Sequence, residues 1–248
     1  AAMVGGILAN KERQGKFFYD NMSIELNTIE GARRSVVKKL CFLGSSCIYP
    51  KLAPQPIVED ALMTGHLEET NFGYASAKIA GVKMCEAYAD QYGFPYVAVM
   101  PCNLYGPGDN FDPQSSHVLA ALLRKVVEAK ERGDEEITMW GTGTPRREFL
   151  YVDDVARACV FLMNSDATGL FNAGAGEDIA IKDLLDMICR IVGYEGRVVH
   201  DLSKPDGTPR KLLDTSKLNA QGWKPTVGLE EGIKRLHEWF EKNARKFQ

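Results

Sequence analysis

Residues 96–101 read YVAVMP, an unbroken apolar run that follows a helix-like stretch. A strand with one wet face alternates apolar and polar side chains, so a continuous run suits a strand covered on both faces. Covering both faces of a sheet takes helices, and the chain supplies them at intervals. Residues 17–37 and 74–92 carry helical periodicity, the second with Ile79, Val82, Cys85 and Ala89 on one face. Between them KLCFLG, residues 39–44, reads as a second compact buried strand. Helices alternating with short apolar strands predict an α/β fold built on a parallel sheet.

Beyond residue 115 the pattern shortens. A helix over 116–132 is striped by Leu119, Leu122, Leu123 and Val126. EEITMWG, GLFNAG and RVVHD read as strands, YVDDVARACVFLMN and 180–192 as helices, and SKPDGTPRK as a polar loop. An amphipathic helix with Leu229, Ile233, Leu236 and Phe240 closes the chain. These runs predict a nucleotide-binding type of lobe over 1–115 and a smaller α+β lobe over 116–248, the two interleaved. The opening AAMVGG reads as the tail of a strand entering a loop, which predicts that the first part of the sheet lies upstream.

With 45% hydrophobic and 25% charged residues, the chain has the means to bury a substantial core. Its net charge of −3 leaves no broad basic field for nucleic acid. No run of about 18 apolar residues is present to span a membrane. The opening stretch has neither a basic leader nor a long apolar centre of the kind a signal peptide carries. Six scattered cysteines without a Cys-x-x-Cys pair read as reduced thiols of a cytoplasmic protein, not a disulfide framework or a metal site.

The chemistry-bearing stretch is YASAK, Tyr74–Lys78, at a helix start. Residues four apart share a helical face, so the phenol and the ammonium enter one space, and the ammonium is expected to lower the phenol's pKa from about 10 towards neutrality. Such a tyrosine exchanges a proton with a sugar oxygen during hydride transfer. Ser45, at the C-terminal end of the 39–44 strand, stands where open α/β sheets place ligand-binding groups. Two glycine pairs are decoys: NAGAGEDIA lacks a third glycine, and WGTGTP runs into a proline and a strand rather than a helix.

Ser45, Tyr74 and Lys78 together resemble the triad of the extended branch of the short-chain dehydrogenase/reductase family. LGSSCIYPKLA, NFGYASAKIAG, MPCNLYGPGDNF, SSHV, WGTGTPRREFLYVDD and KPDGTPRKLLD occur in order along essentially the whole chain. As a set they resemble the GDP-L-fucose synthase group of that family. The resemblance implies a Rossmann-like sheet, N-terminally incomplete here, NADPH or NADP as cofactor, a GDP-sugar substrate and a homodimer paired through the helices at 17–37 and 74–92. It implies that Ser45, Tyr74 and Lys78 carry the reduction and that Cys47 and His117 act as base and acid in epimerisation. Leu43, Gly44, Ser45, Ser46, Tyr74, Lys78, Pro101, Cys102, Asn103, Leu104 and His117 would line the cofactor. Lys125, Trp140, Arg147 and Asp206 would contact substrate.

The implied roles suit the residue types. Carbons flanking a ketone lose protons as an enolate, and inverting one takes a base on one face and an acid on the other. A thiol near pKa 8.5 and an imidazole near about 6.5 bracket neutral pH. Each residue alone also has a plainer reading: Cys47 as a small buried apolar group, His117 as a helix N-terminal residue, Lys125 as a solvated charge, Trp140 as a core aromatic, Asp206 as a turn former. The family's Gly-rich phosphate loop is not found in this sequence and is expected in roughly 60 residues upstream, the length of such a βαβ segment. Two other readings stay open: a different sugar-nucleotide epimerase or dehydratase of the same family, and a truncated, inactive nucleotide-sugar-binding protein.

Overall fold

A computed structural model describes residues 2–113, 115–204 and 206–243. The first half runs α1 (Ile7–Glu12), α2 (Gln14–Arg34), β1 (Leu40–Leu43), α3 (Phe72–Tyr92), β2 (Tyr96–Pro101) and β3 (Asn103–Tyr105). Then come α4 (Val118–Arg132), β4 (Glu136–Trp140), β5 (Arg146–Arg147), β6 (Phe149–Tyr151), α5 (Val152–Met163) and β7 (Gly169–Ala173). The chain ends with β8 (Ile179–Ala180), α6 (Ile181–Val192), β9 (Arg197–Asp201), β10 (Arg210–Lys211), α7 (Ser216–Ala220) and α8 (Leu229–Asn243). No helix among the described residues is long and apolar enough to cross a membrane.

The apolar run at 96–101 is the central strand of the main sheet, and all six residues are buried. The order is β1-β2-β7, parallel throughout, with Leu40 opposite Tyr96 and Val97 opposite Gly169. Parallel pairs β3–β6 and β4–β9 extend the architecture, and β5 lies between parallel β10 and antiparallel β8. This is the Rossmann-like α/β arrangement expected. β1 is less covered than its apolar sequence predicts. It is an edge among the described strands: Phe42 is buried, but Leu43 is 52% exposed.

The opening segment also differs from expectation. Residues 2–6 form no strand and lead straight into α1. The Gly6 N–H donates to the Ser115 carbonyl (3.0 Å), and the Asn10 amide donates to the Gly5 and Gly6 carbonyls. The Met3 N–H and carbonyl bond to the Asn21 side chain on α2, so these groups are met without a strand. Elsewhere the ends move by a few residues for local reasons. α3 and α4 stop where Gly93 and Gly133 take left-handed φ values of 62° and 70°.

Two apolar cores result. One surrounds the main sheet and takes Ile29 from α2, Val82 and Cys85 from α3, Leu162 from α5 and Trp223 from beyond α7. The other joins α4, α6 and α8 through Leu119, Leu123, Leu185, Ile188, Ile233 and Phe240. β6 belongs to both: Leu150 packs in the first, Phe149 and Tyr151 in the second, as the two-residue period of a strand dictates.

Candidate active site

The site forms where β1 and β2 end. The Gly44 N–H donates to the Val99 carbonyl (2.9 Å), carrying the chain one residue past β1 alongside β2. Ser45 then opens a short 3₁₀ turn, Ser46–Ile48, its hydroxyl accepting the Cys47 N–H at 3.3 Å. The turn leaves Ser46 buried and Cys47 half-buried. Across from it, Tyr74 lies in the first turns of α3, with Lys78 one turn further on the same face. The Lys78 ammonium donates to the Leu43 carbonyl at 2.9 Å and lies 5.9 Å from the centre of the Tyr74 ring.

Burial pushes the Tyr74 phenol well above its ordinary pKa; the nearby Cys47 and Glu25 push it further, and Ser45 opposes them. The expected lowering by Lys78 is therefore overturned. The main reason is burial; Glu25, on α2, adds to it, its Oε1 3.0 Å from the Lys78 ammonium and both side chains 4% exposed. A neighbouring carboxylate compensates the positive charge before it acts on the phenol.

Arg147, on β5, reaches the same neighbourhood from the second half of the chain. Its guanidinium donates to the Arg146 (2.8 Å) and Thr208 (2.6 Å) carbonyls; burial lowers its pKa and the nearby Cys47 opposes this. His117 is exposed and forms the extended residue before α4. It lies near Asp109, whose carboxyl is pushed up by burial and drawn down by its N–H bond from Asn110 and by the His117 charge. No side-chain hydrogen bond joins His117 to Ser45, Cys47 or Tyr74 among the described residues.

The other expected contacts fare variously. The Lys125 ammonium donates to the Thr138 carbonyl (2.8 Å) on β4, and burial lowers its pKa. Trp140 is 60% exposed, with the Lys204 ammonium 5.6 Å from its ring centre. Asp206 accepts the Thr142 N–H (3.0 Å) and hydroxyl (2.7 Å), closing the β4–β5 loop. Pro101 is buried at the end of β2. Cys102 is buried too, its N–H donating to the Ala173 carbonyl (3.0 Å) and its thiol driven far up by burial. The Asn103 amide donates to the Glu148 carbonyl at 2.8 Å, and Leu104 packs on the first core.

Two carboxylates escaped the sequence reading. Glu148 has no exposed surface; its oxygens accept the Gly176 (2.8 Å) and Leu213 (3.0 Å) N–H groups, tying three segments behind the site. Glu25 had a visible signal. Phe17, Asn21, Glu25 and Ile29 repeat every four residues along the buried stripe of α2, and polar members of such a stripe call for partners.

Residues 1–174 match the NAD dependent epimerase/dehydratase family. GDP-L-fucose synthase 1 of Arabidopsis thaliana is 53% identical over 246 residues, covering 98% of this chain and 76% of that protein. GDP-L-fucose synthase of Escherichia coli strain K12 is 50% identical over 258 residues, covering 100% of this chain and 80% of that one. Among solved structures, a GDP-L-fucose synthetase from Naegleria fowleri bound to NADP superimposes with a TM-score of 0.90 at 30% identity, covering 99% of this chain and 76% of that one.

Proposed function

The chain belongs to the NAD dependent epimerase/dehydratase family, and from that membership we propose that it converts GDP-4-keto-6-deoxy-D-mannose to GDP-L-fucose. The reaction has two parts, epimerisation at C3 and C5 and reduction at C4. The observation that carries the reading is the meeting of Ser45, Cys47, Tyr74 and Lys78 at the strand ends, in a chain 50–53% identical to GDP-L-fucose synthases over nearly its whole length.

In the first part Cys47, as thiolate, removes the proton from a carbon beside the C4 ketone, and His117 returns one to the opposite face. The enolate oxygen formed meanwhile takes hydrogen bonds from Ser45 and Tyr74. In the second part Tyr74 delivers its phenolic proton to the C4 oxygen, a role its raised pKa suits because the proton is present throughout the neutral range. Arg147 and Lys125 face the diphosphate, Trp140 offers a flat apolar surface to guanine or sugar, and Asp206 shapes the loop beside them.

The residues present fit the nicotinamide end of NADPH. Lys78 is anchored at the Leu43 carbonyl beside Tyr74, and Leu43 keeps an exposed apolar side chain at the strand ends. Leu43–Ser46, Tyr74, Lys78, Pro101–Leu104 and His117 would hold it. Bound there, NADPH supplies the hydride that reduces C4.

We assign residues 1–115 chiefly to cofactor and catalysis and 116–248 chiefly to substrate, the two interleaved, as the first core's Leu162, Leu213 and Trp223 and the second core's Tyr105 and Phe111 indicate. Exposed Phe18, Tyr19 and Leu26 on α2, which packs along α3, support a homodimer, and six free cysteines support a cytoplasmic location. The decisive experiment supplies the keto sugar and NADPH in deuterium oxide. Deuterium is expected at C3 and C5 together with loss of NADPH absorbance. Cys47→Ser combined with His117→Gln abolishes the exchange while hydride transfer persists. A chain that neither exchanges nor oxidises NADPH overturns the reading.

A further inference from the structure

Lys39, immediately before β1, reaches across to the end of α5, its ammonium donating to the Leu162 (2.7 Å) and Ser165 (2.8 Å) carbonyls. That clamp fixes how the strand lies against the helix. Residues two apart on an extended chain share a face, so Cys41 follows Lys39 on the side turned to α5. Residues three apart on a helix are neighbours, so Cys159 lies about one turn before Leu162 on the side turned to β1. The two thiols meet there, hydrogen-bonded to each other and half-buried at the margin of the first core. Neither belongs to the site at the strand ends.

We propose that Cys41 and Cys159 are a peroxide-sensitive pair, which hydrogen peroxide oxidises to a reversible disulfide tying β1 to α5. Cys41 is the attacking sulfur. The hydrogen bond from Cys159 draws its pKa below the ordinary value; burial opposes this, and the Lys39 charge adds to the lowering. Cys159 keeps its proton, held first by that same hydrogen bond and then by burial. Lys39 breaks what would otherwise be an even pair, because its ammonium, whose other charged neighbour is Asp166, acts on the Cys41 side. A thiolate beside a cation, partly open to solvent and next to a second thiol, is the arrangement that oxidants select.

The chemistry balances with peroxide alone. The Cys41 thiolate attacks one peroxide oxygen, the O–O bond breaks, and hydroxide leaves to take up the proton Cys41 gave, forming water. Cys41 is then a sulfenic acid. The Cys159 sulfur attacks the Cys41 sulfur, the S–O bond breaks, and the hydroxyl departs with the Cys159 proton as a second water. Two thiols are oxidised and one peroxide is reduced. Other cysteines are less apt: burial drives the Cys102 thiol far up, Cys85 to about 12 and Cys189 to about 11. Cys47 is half-buried as well, so the experiment must tell the two places apart.

The test treats the folded full chain with excess hydrogen peroxide at neutral pH, blocks the remaining thiols with iodoacetamide in denaturant and maps the peptides by mass spectrometry. The expected product is a peptide joining Cys41 to Cys159, two hydrogens lighter than its parts together and lost after dithiothreitol. Cys159→Ser is expected to stop the reaction at the Cys41 sulfenic acid, trapped by dimedone, and Cys41→Ser to leave Cys159 open to iodoacetamide. Both residues carrying iodoacetamide in the peroxide-treated chain, or either joined to a different cysteine, overturns the proposal. If a serine variant does not fold, the map of the unsubstituted chain decides alone. Neither sugar nucleotide nor cofactor enters, so the outcome is separate from that of the epimerase-reductase assay.

Discussion

A carboxyl group with no exposed surface, such as Glu148, must meet its charge with donors or give it up by binding a proton. Backbone N–H groups of Leu213, Gly176 and Ala175 favour the charge, but burial outweighs them and the pKa rises to about 7. Because the folded value lies above the ordinary 4.5, the folded state binds the proton more tightly than the unfolded chain does. Its contribution is fully present below pH 4.5 and is lost as pH rises through about 7, in total roughly 3 kcal/mol. Urea unfolding at pH 5 and pH 8 should show that decline, and Glu148→Gln should flatten it. A slope unchanged in the variant would assign the pH dependence elsewhere. Among the residues of the site, Tyr74 and Lys78 were legible by helical spacing and Ser45 by its place at a strand end, while Cys47 came into view only through the family resemblance. Glu25 was signalled only as a polar member of a buried stripe; its pairing with Lys78 was not legible, because that partner lies on another helix and only the packing of α2 on α3 joins them.

Elements follow the same division. β2 runs over the six apolar residues expected, since a run buried on both faces needs no context to declare itself. β5, β8 and β10 are two residues long each and carry no period to read; they exist because Arg146 and Arg210 share the Asp178 carboxylate that holds them together. α1 was hidden by the Gly5-Gly6 pair before it, of which Gly6 bonds to Ser115, more than a hundred residues away. On α2, Tyr19 (71% exposed) and Leu26 (46% exposed) are seven residues apart and so on one face, turned to solvent in the single chain. If two copies pair there, Tyr19→Glu with Leu26→Glu will shift the sedimenting species from dimer to monomer with the helical signal unchanged, as the side chains lie outside both cores. A dimer that survives the double change places its interface elsewhere.

For the molecule as a whole, the shared strand β6 matters more than the count of lobes. Leu150 is 1% exposed in the first core while its neighbours Phe149 and Tyr151 serve the second. Leu150→Ala should cost about 2–5 kcal/mol, the usual range for a buried leucine. The loss should appear equally in the fluorescence of Trp223, in the first core, and of Trp239, packed on the second, each followed with the other tryptophans replaced by Phe. Two separated transitions, with only the Trp223 signal moved, would show independent halves.

Because both halves lean on the same strand, neither is expected to loosen without disturbing the other.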